Sequence, residues 1–233
     1  MSHPFLLLFD IDGTLLLTHG AGMRAMERAA QSVFGPGFGF DGVPVGGNLD
    51  SLILAQALQN HGRPHRDDEH ARFRQLYREE LHSELKAGAR AYALPGVLDL
   101  LDLLRRRRQE AADIELGLLT GNYTETAPIK LAHVGIDRGW FNITAFGDEA
   151  SSRPELCGVA VRKYKHALGR EPQPQRIIVI GDTPRDIECA KANGCVAFAV
   201  ATGHFTTSQL RDAGADHVAP DLSDPRSLLD LLD

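Results

Sequence analysis

The sequence predicts an α/β fold, a doubly wound parallel sheet interrupted after its first strand by an all-helical insertion. Three observations carry that expectation. Four short apolar runs, at 5–9, 114–119, 177–180 and 196–200, have the length and composition of strands, and the last two are apolar enough to be buried on both faces. Helical patterns separate the later runs, the alternation expected of parallel strands joined by crossover helices. Residues 17–88 break that alternation with helical patterns and no strand run.

The first strand, Phe5-Leu-Leu-Leu-Phe9, runs directly into Asp10. An apolar stretch of this length is too short for a signal peptide core or a membrane span. The insertion reads as helices near 20–34, 48–61 and 67–87, with hinges at 16–20 and 88–95 where glycine and proline punctuate the pattern. The expected organisation is therefore a core of residues 1–16 and 89–233 and a helical cap of residues 17–88. The glycine-rich stretch 35–47 reads as a connecting loop of the insertion, since no strand precedes it and no helix N-terminus follows immediately.

After the insertion, Val97, Leu100, Leu101 and Leu104 share one helical face, and the basic run 105–108 that follows reads as a solvated helix end. Beyond the second strand come helices around 124–134 and 156–168, with a short strand near 143–146 between them.

The chain has 233 residues, of which 43% are hydrophobic and 24% charged, enough to bury a real core. A formal net charge of -6 provides no overall positive field, so neither nucleic acid nor an anionic membrane is an expected partner. The cysteines, Cys157, Cys189 and Cys195, are odd in number and lack a CxxC spacing. Neither a disulfide framework nor a zinc site is suggested, and a soluble protein of the cytoplasm is expected.

The chemistry begins at Asp10-Ile-Asp12-Gly13-Thr14. A strand that ends in a carboxylate delivers it to the crevice outside the carboxyl ends of an open sheet, where ligands of such folds bind. Residues two apart in extended chain point the same way, so Asp10 and Asp12 face one site. Gly13 then lets the chain turn sharply. Two carboxylates held together need a cation, or one must keep its proton, because like charges at contact distance raise one pKa strongly. Such a pair suits nucleophilic attack by one carboxylate and proton transfer by the other.

The segment Phe9-Asp-Ile-Asp-Gly-Thr-Leu15 resembles the first signature of the haloacid dehalogenase-like hydrolase superfamily, and the remaining signatures follow in order. Leu118-Leu-Thr120-Gly121-Asn122 is similar to the second, whose hydroxyl binds the transferring phosphoryl group. The third is normally a lysine near a helix start, and here Arg153, in Ser151-Ser-Arg153-Pro154, takes that place. Ile180-Gly181-Asp182-Thr-Pro-Arg-Asp186 resembles the acidic metal signature.

The resemblance covers the whole core and implies a Rossmann-like fold of the phosphoglycolate phosphatase-like branch, with the helical insertion as its cap. It implies hydrolysis of a small phosphorylated metabolite through an aspartyl phosphate on Asp10, with Asp12 as acid and base. Magnesium is the implied cofactor, held by Asp10, Asp182, Asp186 and the backbone carbonyl of Asp12. Thr120, Gly121, Asn122 and Arg153 are the implied phosphate-binding residues, while Lys163 and Lys165 read as surface charges. The four acids and a phosphomonoester of charge about −2 exceed what one divalent ion neutralises, so a fixed cation such as Arg153 is needed.

Rival activities separate by residue. Dehalogenases of the superfamily lack an acid at the position of Asp12, and residues 1–85 contain no lysine for the Schiff base of phosphonoacetaldehyde hydrolase-like members. A β-phosphoglucomutase-like phosphoryl transfer stays open as the alternative. A non-catalytic binding module on the same fold needs neither a leaving-group acid nor a lid.

Overall fold

The computed structural model describes residues 4–232. In chain order its strands are β1 (Phe5–Phe9), β2 (Leu16–Leu17), β3 (Tyr92–Ala93), β4 (Ile114–Leu119), β5 (Ile143–Ala145), β6 (Ile177–Gly181), β7 (Val196–Val200) and β8 (His217–Ala219). The α-helices are α1 (Ala21–Phe34), α2 (Asp50–Asn60), α3 (Asp67–Lys86), α4 (Val97–Ala111), α5 (Ala127–His133), α6 (Arg153–Leu168), α7 (Pro184–Ala192), α8 (Thr207–Asp212) and α9 (Arg226–Leu229).

Six strands form one sheet in the order β5-β4-β1-β6-β7-β8, and every neighbouring pair is parallel. β1 is central, and its side chains alternate between two cores. Phe5, Leu7 and Phe9 join Leu100, Leu101, Leu104 and Phe141 on one face. Leu6 and Leu8 join Leu156, Ala160, Tyr164 and Ile187 on the other. A strand covered on both sides has no use for polar side chains, which is why the run is uniformly apolar until Asp10. Burying each such leucine or phenylalanine stabilises the fold by roughly 1.5–3 kcal/mol. The doubly wound α/β architecture predicted from the sequence is the one observed.

The helices between β2 and β3 have a hydrophobic cluster of their own. On α3, Phe73, Tyr77, Leu81 and Leu85 recur every fourth residue and make one buried stripe. α1 meets it with Met26 and with Ala25, Ala29 and Ala30, whose small side chains let the two helices approach closely. The entry and exit of this segment are tied by a short antiparallel ribbon, Leu16 against Ala93 and Leu17 against Tyr92. That ribbon and β8 are two and three residues long, below the length at which alternation is readable in sequence. Among the described residues, no helix is long and apolar enough to cross a membrane.

Candidate active site

The carboxyl ends of β1, β4 and β6 lie side by side, and each delivers one polar residue to the same crevice. Asp10 follows β1 directly, Thr120 follows β4 and Asp182 follows β6. All three are buried, as are Asn122, Arg153 and Asp186. The turn after Asp10 leaves no room for a side chain at residue 13. Gly13 has φ +81°, and a Cβ there would sit 2.4 Å from Asp182 Oδ2. Glycine is the residue that adopts this backbone and admits the approach.

Oxygens of Asp10, Asp182 and Asp186 all lie within 4.8 Å of one another. Asp182 Oδ1 accepts a hydrogen bond from Thr14 Oγ1 at 3.3 Å. Asp186 does two jobs. Its Oδ2 accepts from the backbone N and Oγ1 of Thr183, the capping box that starts α7, and its Oδ1 accepts from Arg153. Arg153 opens α6 and reaches Asp10 Oδ1 with the same nitrogen, Nη2, at 3.2 Å. Its Nε, also buried, has no hydrogen-bond partner.

The charge of this cluster is unbalanced. Burial pushes the Asp10 carboxyl up to about 6, with Arg153 opposing and Asp186 adding to the rise. Asp182 is pushed up to about 8 by burial and by the charges of Asp186 and Asp10. A divalent cation bound among these acids would favour their ionised forms. Hard carboxylate oxygens converging from separate strand ends are the donor set that magnesium takes, so the residues present fit that ion.

The Asp12 carboxylate lies outside this cluster but lines the same crevice. Its Oδ2 accepts from Lys130 Nζ at 2.7 Å and from Asn122 Nδ2 at 2.8 Å. Any ligation by Asp12 would thus use its backbone carbonyl. Asn122 also donates to Thr120 Oγ1 at 2.8 Å and accepts from Lys130 at 2.6 Å. Because Thr120 Oγ1 already accepts from Asn122, its own proton is available to an acceptor in the crevice. Gly121 is forced by packing, since a Cβ there would fall 1.9 Å from the carbonyl oxygen of Asn48. Of the eight residues singled out in the sequence, seven line one crevice, and Asp186 adjoins it through Arg153 and the carboxylate cluster.

Lys130 was not among them. A lysine inside a helix reads by default as a solvated charge, yet Ala127, Lys130 and Leu131 are the buried residues of α5. That i, i+3, i+4 spacing puts Lys130 on the inward face and was the signal available. Lys163, read as a surface charge, keeps an exposed side chain and is paired there, donating to the Thr144 carbonyl and to Glu149.

A cavity of about 520 Å³ opens above these groups, closed from the far side by α1, α2 and the loop before α2. The glycine-rich stretch is a loop, as expected, but its end reaches the site: Gly46, Gly47 and Asn48 line the cavity. Arg185 donates to the Gly46 carbonyl at 3.2 Å, and Asp50 N donates to the Gly121 carbonyl at 2.8 Å.

Comparison with known proteins bears on this geometry. The family model described as haloacid dehalogenase-like hydrolase matches residues 7–191. The chain is 27% identical to a phosphoglycolate phosphatase of Vibrio vulnificus, across 97% of this chain and 95% of that protein. It is 28% identical to a phosphoglycolate phosphatase of Synechococcus elongatus, across 94% and 93%. Among solved structures, CbbY from Rhodobacter sphaeroides in complex with phosphate is similar in fold, with a TM-score of 0.72 at 20% identity, covering 95% of this chain and 96% of that one.

Proposed function

The chain belongs to the haloacid dehalogenase-like hydrolase family, and from that premise we propose that it is a magnesium-dependent phosphatase acting on a small phosphomonoester through an aspartyl phosphate on Asp10. The observation that carries this reading is the convergence of the buried acids Asp10, Asp182 and Asp186 on one point beside Arg153. The similarity to phosphoglycolate phosphatases over nearly the whole chain supports the same reaction class.

Asp10 Oδ1 or Oδ2 attacks phosphorus while Arg153 and the Thr120 hydroxyl bind the non-bridging oxygens. Asp12 acts as the general acid and gives a proton from Oδ1 to the departing alcohol. The carboxylate so formed takes a proton from water, whose oxygen attacks the aspartyl phosphate, releasing inorganic phosphate and regenerating Asp10. Asp10, Asp182, Asp186 and the Asp12 carbonyl would hold magnesium, which supplies positive charge to the transferring phosphoryl group. Residues 17–88 act as the cap that keeps bulk water from the first step.

Turnover of p-nitrophenyl phosphate by the purified protein is expected with magnesium and expected to vanish in EDTA. Magnesium at about 100 times its Kd should also raise the melting temperature by about 5–10 °C. Equal turnover in EDTA would refute the metal dependence.

Lys130 and Asn122 position Asp12 by holding its Oδ2, which leaves Oδ1 for the proton. Lys130→Met keeps most of the buried stem but removes the charge. The expected result is a fall in kcat of about 10- to 100-fold with little change in KM, the pattern of impaired proton transfer rather than impaired binding. A change in KM alone would instead make Lys130 a substrate contact.

A further inference from the structure

We propose that the alcohol portion of the substrate carries no ionised group and presents an apolar surface to the cavity. The inference rests on the phosphatase reading of the site and narrows its substrate class. The cavity wall opposite Asp10 is built from Leu17, Met23, Met26, Val45, Ile53 and Tyr77. It offers thioether and aliphatic surface with the neutral hydroxyls of Tyr77 and, beside Leu17, of Thr18.

The cations that face the cavity are already engaged. Lys130 is paired with Asp12, and Arg153 with Asp10 and Asp186. The other basic side chains in the described lining are the imidazoles of His19 and His204, both exposed to water, which keeps an anion beside them hydrated. Arg24 on α1 lies outside the lining and is tied to Glu84 and to the His19 carbonyl. The Asn48 amide is satisfied within its own loop, donating to the Pro44 carbonyl at 3.1 Å and accepting from Leu49 N at 3.0 Å.

An acid stands on the same side. Asp50, at the start of α2, is buried and lines the cavity, with the backbone N of Tyr123 donating to it at 3.2 Å. A carboxylate or second phosphate on the alcohol portion would lose its hydration against aliphatic groups, find both lysine and arginine of the described lining already paired, and stand beside the acid Asp50, whose carboxyl burial pushes up to about 7. Burying an ion without a partner is among the costliest events in a binding site. An uncharged alcohol of matching size meets none of these penalties, and its hydrocarbon gains from contact with the two methionines.

The test compares near-isosteric esters with the magnesium-loaded protein: 2-phosphoglycolate, its uncharged amide carbamoylmethyl phosphate, butyl phosphate, and phosphoethanolamine as the cationic counterpart. The amide is expected to show a kcat/KM about tenfold or more above that of phosphoglycolate, and butyl phosphate should exceed phosphoethanolamine. Val45→Arg adds a cation on an exposed residue of the wall, and Met23→Lys adds one from α1. Each should shift the ratio toward phosphoglycolate by about fivefold or more while the amide continues to be hydrolysed.

A wild-type preference for phosphoglycolate or phosphoethanolamine would overturn the inference and leave the phosphatase reading standing. An amide preference that neither variant shifts would overturn the assignment to this wall. If no ester is hydrolysed with magnesium, the phosphatase reading itself falls.

Discussion

Replacing Asp10 with asparagine is expected to lower kcat by about 10⁴-fold or more, the largest effect of any single substitution in the site. The amide differs from the carboxylate by one atom, so packing at the end of β1 is preserved. What disappears is the nucleophile: an amide oxygen does not form a stable bond to phosphorus. The substitution also removes one negative charge from a group of acids that burial already disfavours in ionised form. Folding in the absence of magnesium should therefore be intact or improved, although Arg153 keeps only Asp186 as a carboxylate partner. Intact mass measured during turnover should show a phosphoryl adduct on the wild-type chain and none on the variant. Metal-dependent phosphate release within tenfold of wild type would end the assignment of Asp10 as nucleophile.

The parts of the site legible in the sequence are those fixed by local chain geometry. Asp10, Thr120 and Asp182 each follow a strand immediately, and a residue at that point of a parallel sheet has one place to go, the crevice at the strand ends. Gly13 and Gly121 mark positions where backbone and neighbouring atoms come too close for any Cβ. Arg153 is the first residue of its helix, again a position set by a boundary. Lys130 differs in kind, because α5 is brought beside Asp12 by tertiary packing that no short segment encodes. The cap-side wall is harder still. Spacing alone does not rank the polar cap residues Arg24, Asn48 and Arg72 as substrate contacts, and of these only Asn48 lines the cavity, while Arg72 is exposed. The residues that do line it are methionines and aliphatics whose spacing is that of ordinary core, and they face the cavity only because α1 and α2 stop short of filling it.

Arg153 should couple catalysis to stability more strongly than any other residue. Its side chain is 5% exposed, and its fixed charge is the one cation among the described residues in contact with both Asp10 and Asp186. Arg153→Met fills similar volume without charge and leaves the three acids with no counterion unless magnesium is supplied. Breaking a buried pair from one side costs about 3–5 kcal/mol. For a chain of this size that corresponds to a drop in melting temperature of about 6–20 °C in chelator, and magnesium should restore part of it. Turnover should fall about 10²- to 10³-fold even with saturating metal, because a donor to the transferring phosphoryl group is gone. Arg153→Lys separates the two effects. It returns the charge, and with it most of the stability, but one ammonium must serve the two acids that Nη2 now contacts and also the phosphoryl oxygen left to the rest of the guanidinium, so in this site its activity should stay below wild type. Unchanged melting of Arg153→Met in chelator would mean that the acids hold their protons instead of depending on this guanidinium.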